Sequence, residues 1–95
     1  MAKTKKNGKS DWSPETVLAR ITNPGQMLLF LKDLLTPAEH QEIKRRLKII
    51  KLLKRGLPQR EVAKKLKIAI ATITRGAMVL KNPQGGFNRI LKSLK

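Results

Sequence analysis

Pro58-Gln59-Arg60-Glu61-Val62-Ala63-Lys64-Lys65-Leu66-Lys67-Ile68-Ala69-Ile70-Ala71-Thr72-Ile73-Thr74-Arg75 decides the fold. Val62, Leu66, Ile68 and Ile73 are apolar where two short helices would cross, and Ala63 is small where they would approach most closely. The spacing is that of a helix-turn-helix over residues 58–81. In the second helix Ile73, Ala77 and Leu80 recur at steps of four and three and face inward, which leaves Thr72, Thr74, Arg75 and Lys81 outward. Hydroxyls and a guanidinium are the groups that grip phosphates and read base edges in a major groove. Lys67 occupies the turn position that usually holds glycine, and a left-handed backbone at a non-glycine residue costs about 1 kcal/mol. The bland alternative is an αα-hairpin packed in a core.

Upstream of this stretch the chain is punctuated by helix-start signals. Ser13-Pro14 opens a short helix to about Thr22, for which Trp12 would be a packing anchor. Asn23-Pro24 repeats the signal. The segment 26–35 that follows is apolar on nearly every face (Met27, Leu28, Leu29, Phe30, Leu31, Leu34, Leu35) and so calls for cover that a partner subunit would provide. Thr36-Pro37-Ala38-Glu39 is a capping box that starts a third helix running to about Arg55. On it Ile43, Leu47, Ile50 and Leu53 form a stripe, widened by Ile49 and Leu52, against a basic side of Lys44, Arg45, Lys48, Lys51 and Lys54. Gly56 ends it. His40 reads as an exposed first-turn residue. Gly85-Gly86 links to a last helix, Phe87 to Leu94. No strand pattern occurs, so the expected class is all-α: a single helical domain over 11–95 behind a basic arm, 1–10, carrying Lys3, Lys5, Lys6 and Lys9. The arm is a solubilising tail or a flexible phosphate-binding arm.

Composition narrows the function. Twenty-two Lys and Arg stand against six Asp and Glu, a net charge of +16 over 95 residues. That balance points at nucleic acid or an anionic membrane. The lack of cysteine excludes disulfides, thiol catalysis and Cys-based zinc sites, and fits a reducing compartment. With one histidine, six scattered acids and no glycine-rich phosphate loop, neither a metal site nor a catalytic pairing is expected, and the chain reads as no enzyme. The start Met-Ala-Lys-Thr-Lys-Lys has no apolar stretch behind it and is not expected to be a secretory signal; the run Met27 to Leu31 is far too short to span a bilayer. A small chain without staples also favours oligomerisation as a source of buried area.

Thr36-Pro37-x-Glu39, Arg46, Arg55-Gly56, Gln59-Arg60-Glu61 and above all Ile70-Ala71-Thr72-Ile73-Thr74-Arg75-Gly76 resemble the Trp repressor family, over about residues 31–81. The resemblance implies about six helices, an intertwined homodimer, a bacterial cytoplasmic location, and a major-groove reader of a palindromic operator in double-stranded DNA. The Trp repressor is itself one of the reference cases for that docking geometry. By similarity Arg60 contacts a guanine, and Gln59, Ile70, Ala71, Thr72 and Thr74 match phosphate or base-proximal positions; Arg75 and Lys81 complete the DNA-binding set. A family lysine falls on Ala63, beside Lys64, and the loop between Gly56 and Gln59 looks one residue short. The resemblance further implies L-tryptophan as co-repressor, its indole between Arg46 and Arg75, with Gly76 beside the ring and Thr36 at its polar end from the partner chain. Guanidinium planes suit that role, since they stack on aromatic faces and pair with carboxylate. Val79 stands where the family usually has a serine near the ammonium group, and valine accepts no hydrogen bond.

The sequence thus implies a DNA-binding transcriptional repressor, with L-tryptophan as the expected ligand and no metal or membrane partner. A constitutive or differently liganded regulator of the same fold, and a non-specific nucleoid- or ribosome-associated nucleic-acid binder, remain as alternatives. If the arm holds phosphate, replacing Lys3, Lys5 and Lys6 with Gln will weaken binding to every duplex sequence alike, as read by fluorescence anisotropy on unrelated duplexes.

Overall fold

A computed structural model describes residues 12–91, and these form six α-helices with no strand among them. They are α1 (Pro14–Ala19), α2 (Pro24–Leu34), α3 (Pro37–Lys54), α4 (Gln59–Leu66), α5 (Ile70–Val79) and α6 (Gly86–Leu91). The all-α expectation holds. The arm 1–10 and the last residues of the expected final helix lie outside the described residues. The chain divides into two compact units, one up to His40 and one from Gln41 onward.

In the first unit each helix begins at a proline. Ser13 Oγ donates to Thr16 Oγ1 at 2.9 Å ahead of α1. Asn23 Oδ1 accepts from the Gln26 amide at 3.0 Å and caps α2. Pro24 holds Asn23 extended (φ −103°, ψ 127°), because the ring excludes the helical region for the residue before it. The start of α2 at Pro24 is the one the Asn23-Pro24 signal marks, while α1 ends at Ala19, short of the expected Thr22. The expected capping box forms: the Thr36 amide donates to Glu39 Oε1 at 2.8 Å and the Glu39 amide to Thr36 Oγ1 at 3.1 Å. No described residue of α1 or α2 is buried; Leu29 is 66% and Leu34 55% exposed. Trp12 is 83% exposed, so the expected anchoring role finds no counterpart among the described residues. His40 is half-buried and not exposed.

The second unit holds the core. Ile49 and Leu52 of α3, Val62 of α4 and Ile73 of α5 are buried together, with Leu53, Leu57, Ala63, Leu66 and Ile68 packed around them. Val62 and Ile73 have no exposed surface at all. Two of the six residues expected to line the α3 stripe remain open, Ile43 and Leu47, while Ile49, Ile50 and Leu52 are buried. The core is drawn to the last turns of α3, where α4 and α5 lie against it.

The ends of α3 and α4 close in the same way. Gly56 takes φ 96°, its amide donates to the Leu53 carbonyl at 3.0 Å and the Leu57 amide to the Leu52 carbonyl at 3.3 Å. Lys67 takes φ 57° and ψ 47°, its amide reaches the Lys64 carbonyl at 3.3 Å and the Ile68 amide the Ala63 carbonyl at 3.0 Å. Both are Schellman closures, and in both the apolar residue just beyond, Leu57 or Ile68, packs on the core. Lys67 is the only non-glycine residue with positive φ among the described residues. Its side chain is exposed, so replacing it changes backbone preference and little else. Lys67→Gly is expected to stabilise the fold by roughly 0.5–1 kcal/mol and Lys67→Val to destabilise it. Urea unfolding midpoints at equal slope will check both.

Candidate functional site

Gln59 is the first residue of α4, and its side-chain carbonyl accepts a 2.8 Å hydrogen bond from Thr74 Oγ1 of α5. This bond ties the start of the first reading helix to the middle of the second. Arg60 follows Gln59 and is exposed, as are Ile70 and Ala71 in the first turn of α5 and Thr74 and Arg75 one turn later. These six therefore share one accessible surface of the second unit: a cation on α4, then apolar groups, a hydroxyl and a second cation on α5. Ile70 is 47% exposed. An aliphatic side chain left that open at a helix start is suited to contact a thymine methyl.

Two expected residues stand differently. Thr72 was expected to point outward with Thr74. It is half-buried and lines a cavity, because it stands one turn before Gly76, on the face of α5 that meets Ile49 of α3. Lys81 lies past the end of α5, in the turn beyond Leu80, where it is exposed and lines a shallow depression with Lys54, Pro83, Gln84 and Asn88.

The cavity beside Thr72 has a volume of about 330 Å³. Arg46 from α3 and Arg75 and Gly76 from α5 line it, as the sequence reading anticipated for a ligand. Ile49, Ile50, Val79 and Phe87 add apolar wall, and Glu42 an acid. Arg46 Nε lies 3.5 Å from Glu42 Oε2, and Arg45 Nη2 also pairs with Glu42. The Arg46 side chain is 71% exposed, so this pair contributes little to stability and mostly restrains the guanidinium at the cavity edge. A methyl group at Gly76 would sit 3.2 Å from Ile49 Cγ2. The close approach of α5 to α3 thus favours a residue without a side chain here, whether or not a ligand stands beside it. Thr36 lies in the first unit and its hydroxyl serves as the cap of α3.

Sequence reasoning did not single out Glu42, Ile50 or Phe87 as part of this cavity. The first two had a signal: Glu42, Arg46, Ile49 and Ile50 follow one another at helical steps on a single face of α3. Phe87 had none, because tertiary bonds place it. Asn88 beside it donates to the carbonyls of Leu80 at 3.0 Å and Asn82 at 2.8 Å and accepts from Lys54 Nζ at 3.3 Å, which binds α6 to the ends of α5 and α3. No helix among the described residues is long and apolar enough to cross a membrane.

A family profile described as Trp repressor protein matches residues 15–95. A protein named Trp operon repressor homolog from Vibrio campbellii is 36% identical over 86 residues, 88% of this chain and 86% of its own length. One of the same name from Actinobacillus succinogenes is 47% identical over 53 residues, 55% of this chain and 52% of that protein. Another from Mannheimia succiniciproducens is 45% identical over 60 residues, 62% of this chain and 59% of its own length. The chain thus spans between about half and most of the curated relatives it matches. No solved structure matches it.

Arg60 is exposed and forms no part of the core, so Arg60→Ala should leave the unfolding midpoint unchanged. If the α4–α5 surface reads DNA, the change will cost roughly 1–3 kcal/mol of specific binding and relax preference at a single base position. Parallel selection of bound duplexes by both proteins measures this.

Proposed function

The chain belongs to the Trp repressor family, and on that premise we propose that it is a homodimeric, sequence-specific DNA-binding repressor whose reading helix, α5, is governed by L-tryptophan in the cavity beneath it. One observation carries the reading: Arg46 and Arg75 line the same cavity with Gly76 between them and apolar walls around them. Two guanidinium groups at the rim of an apolar slot suit a flat aromatic ring that bears a carboxylate. Arg75 and Thr72 belong both to that slot and to the helix whose outer side carries Ile70, Ala71 and Thr74. A ligand seated there bears directly on the orientation of α5, and so favours one pose of the reading helix by the difference in its affinity for the two.

Homodimerisation rests on the apolar surface left open. Leu28, Leu29 and Leu34 of α2 are all 45% exposed or more. A second copy of the chain would remove such surface from water, at about 25 cal/mol per Å² of apolar area. Thr36, exposed at the start of α3, would then meet the polar end of the ligand from the partner. The operator would be a palindrome in double-stranded DNA, since a two-fold dimer presents two reading helices.

Val79 favours a second reading, a regulator of the same fold that is constitutive or takes another ligand. It lines the cavity, offers no acceptor for an ammonium group, and leaves Glu42 as the only acid there, already paired with two arginines. Calorimetry with L-tryptophan, together with duplex selection in its presence and absence, separates the two. The first reading expects heat of binding and a palindromic pool enriched when tryptophan is present. No heat at millimolar tryptophan, with a palindromic pool that ignores it, leaves the second. A response created by Val79→Ser where the unaltered chain has none would assign the difference to that one side chain. A preference for selected over unrelated duplex below about tenfold, against the 10³ or more usual for a specific dimer, overturns both.

A further inference from the structure

The side of α3 turned away from the ligand cavity carries a groove that the reading surface does not use. Gln41, Lys44, Arg45, Leu47, Lys48 and Lys51 line it from α3, Leu66 from the end of α4 and Ile68 from the α4–α5 turn. Gln41, Lys44, Lys48 and Lys51 follow at steps of three, four and three, which keeps them in one line along the helix. Glu42, Arg46, Ile49 and Ile50, the cavity residues, fall on the other side of the same helix. Ile49 is the residue nearest a Cβ built at Gly76 of α5, so the lysine line lies on the side of α3 opposite the face that meets Gly76.

The line is uncompensated. Glu42 is the only acid on α3 beyond His40, and both ion pairs among the described residues end on it, from Arg45 and Arg46. Lys44, Lys48 and Lys51 are exposed and have no acidic partner among the described residues. Three cations held in line on a rigid helix, with no anion of their own, raise the local potential far above that of scattered surface lysines. From Lys44 to Lys51 the helix rises about 10 Å, the axial length of about three nucleotides on one DNA strand. A mixed-charge solvated face would interleave acids among the lysines, and this one does not.

We infer that the Lys44–Lys48–Lys51 groove is a second phosphate-binding surface, which holds the backbone of a second DNA duplex while α5 reads the first. Point charges in line meet phosphate oxygens, which carry no sequence information, so the groove takes duplex of any sequence. The chain can then bridge two segments of DNA.

Capture of a second duplex tests this with the full chain. A 40-base-pair duplex of mixed sequence is fixed to beads and loaded with protein; a fluorescent duplex of unrelated sequence is then offered, and both bound protein and bound fluorescence are measured. Expected are retention of the fluorescent duplex by the unaltered chain, a drop of fivefold or more for K44Q/K48Q/K51Q at equal protein on the beads, and near-full retention for K44R/K48R/K51R. Equal capture by the Gln variant and the unaltered chain overturns the proposal, as does failure of the unaltered chain to hold any second duplex. Loss of the Gln variant's binding to phosphatidylserine vesicles, with duplex capture intact, also overturns it and assigns the groove to an anionic membrane surface. Duplex selection with the K44Q/K48Q/K51Q chain reports the reading surface independently, since a palindromic pool there needs no groove, so failure of the bridge and failure of the DNA-binding reading are told apart.

Discussion

The burial of Val62 against Ile73 is the contact from which the rest of the second unit follows. These two side chains have no exposed surface, and Ile49 and Leu52 of α3 close over them. In so small a core every functional position is fixed at second hand. Arg60 is placed because Val62 two residues on is locked. Arg75 is placed because Ile73 two residues back is locked. The hydrogen bond from Thr74 to Gln59 then joins the two outer surfaces directly, so α4 and α5 meet a duplex as one body.

Charge and packing are divided between the two sides of α3. One side holds Arg46, Ile49 and Ile50 toward α5 and the cavity; the other holds lysines toward solvent. This is why a helix with so much positive charge remains compatible with a packed unit: long cationic side chains keep their heads in water while their stems lie along the surface. The first unit follows a different logic. Its helices are defined by proline and cap signals, not by burial, and its leucines remain open to whatever covers them.

Much of this was legible in the sequence where the determinant is local. Helix starts at Pro14, Pro24 and Pro37, the reciprocal cap of Thr36 and Glu39, the stop at Gly56 and the left-handed Lys67 are all set by residues within a few positions of one another. The crossing of α4 and α5 was legible because its apolar spacing is distinctive. Features set by distant residues were not. Which stripe of α3 is buried depends on where α4 and α5 come to rest, and an unbroken row of isoleucines and leucines offers two candidate faces. Thr72 looked like Thr74 in a string of alternating residues, yet the helix turns one toward the cavity. Phe87 reaches the cavity only through the bonds of Asn88, which link residues 34 and 8 positions apart. The arginine pair was anticipated by resemblance, and the shared cavity now provides a geometric reason for it.

Gly76 serves two masters, and this constrains how the lineage can change. Gly76 borders the cavity, and a Cβ there would press on Ile49 Cγ2 at 3.2 Å, so a larger residue would narrow the slot and crowd the α3–α5 contact together. For the proposed ligand, change is thereby channelled toward neighbours that border the slot without that contact. Val79 and Phe87 are such neighbours. On the proposed reading, a change at either would retune what the slot accepts while α5 keeps its footing, which makes the far wall the freer ground for new effectors to arise.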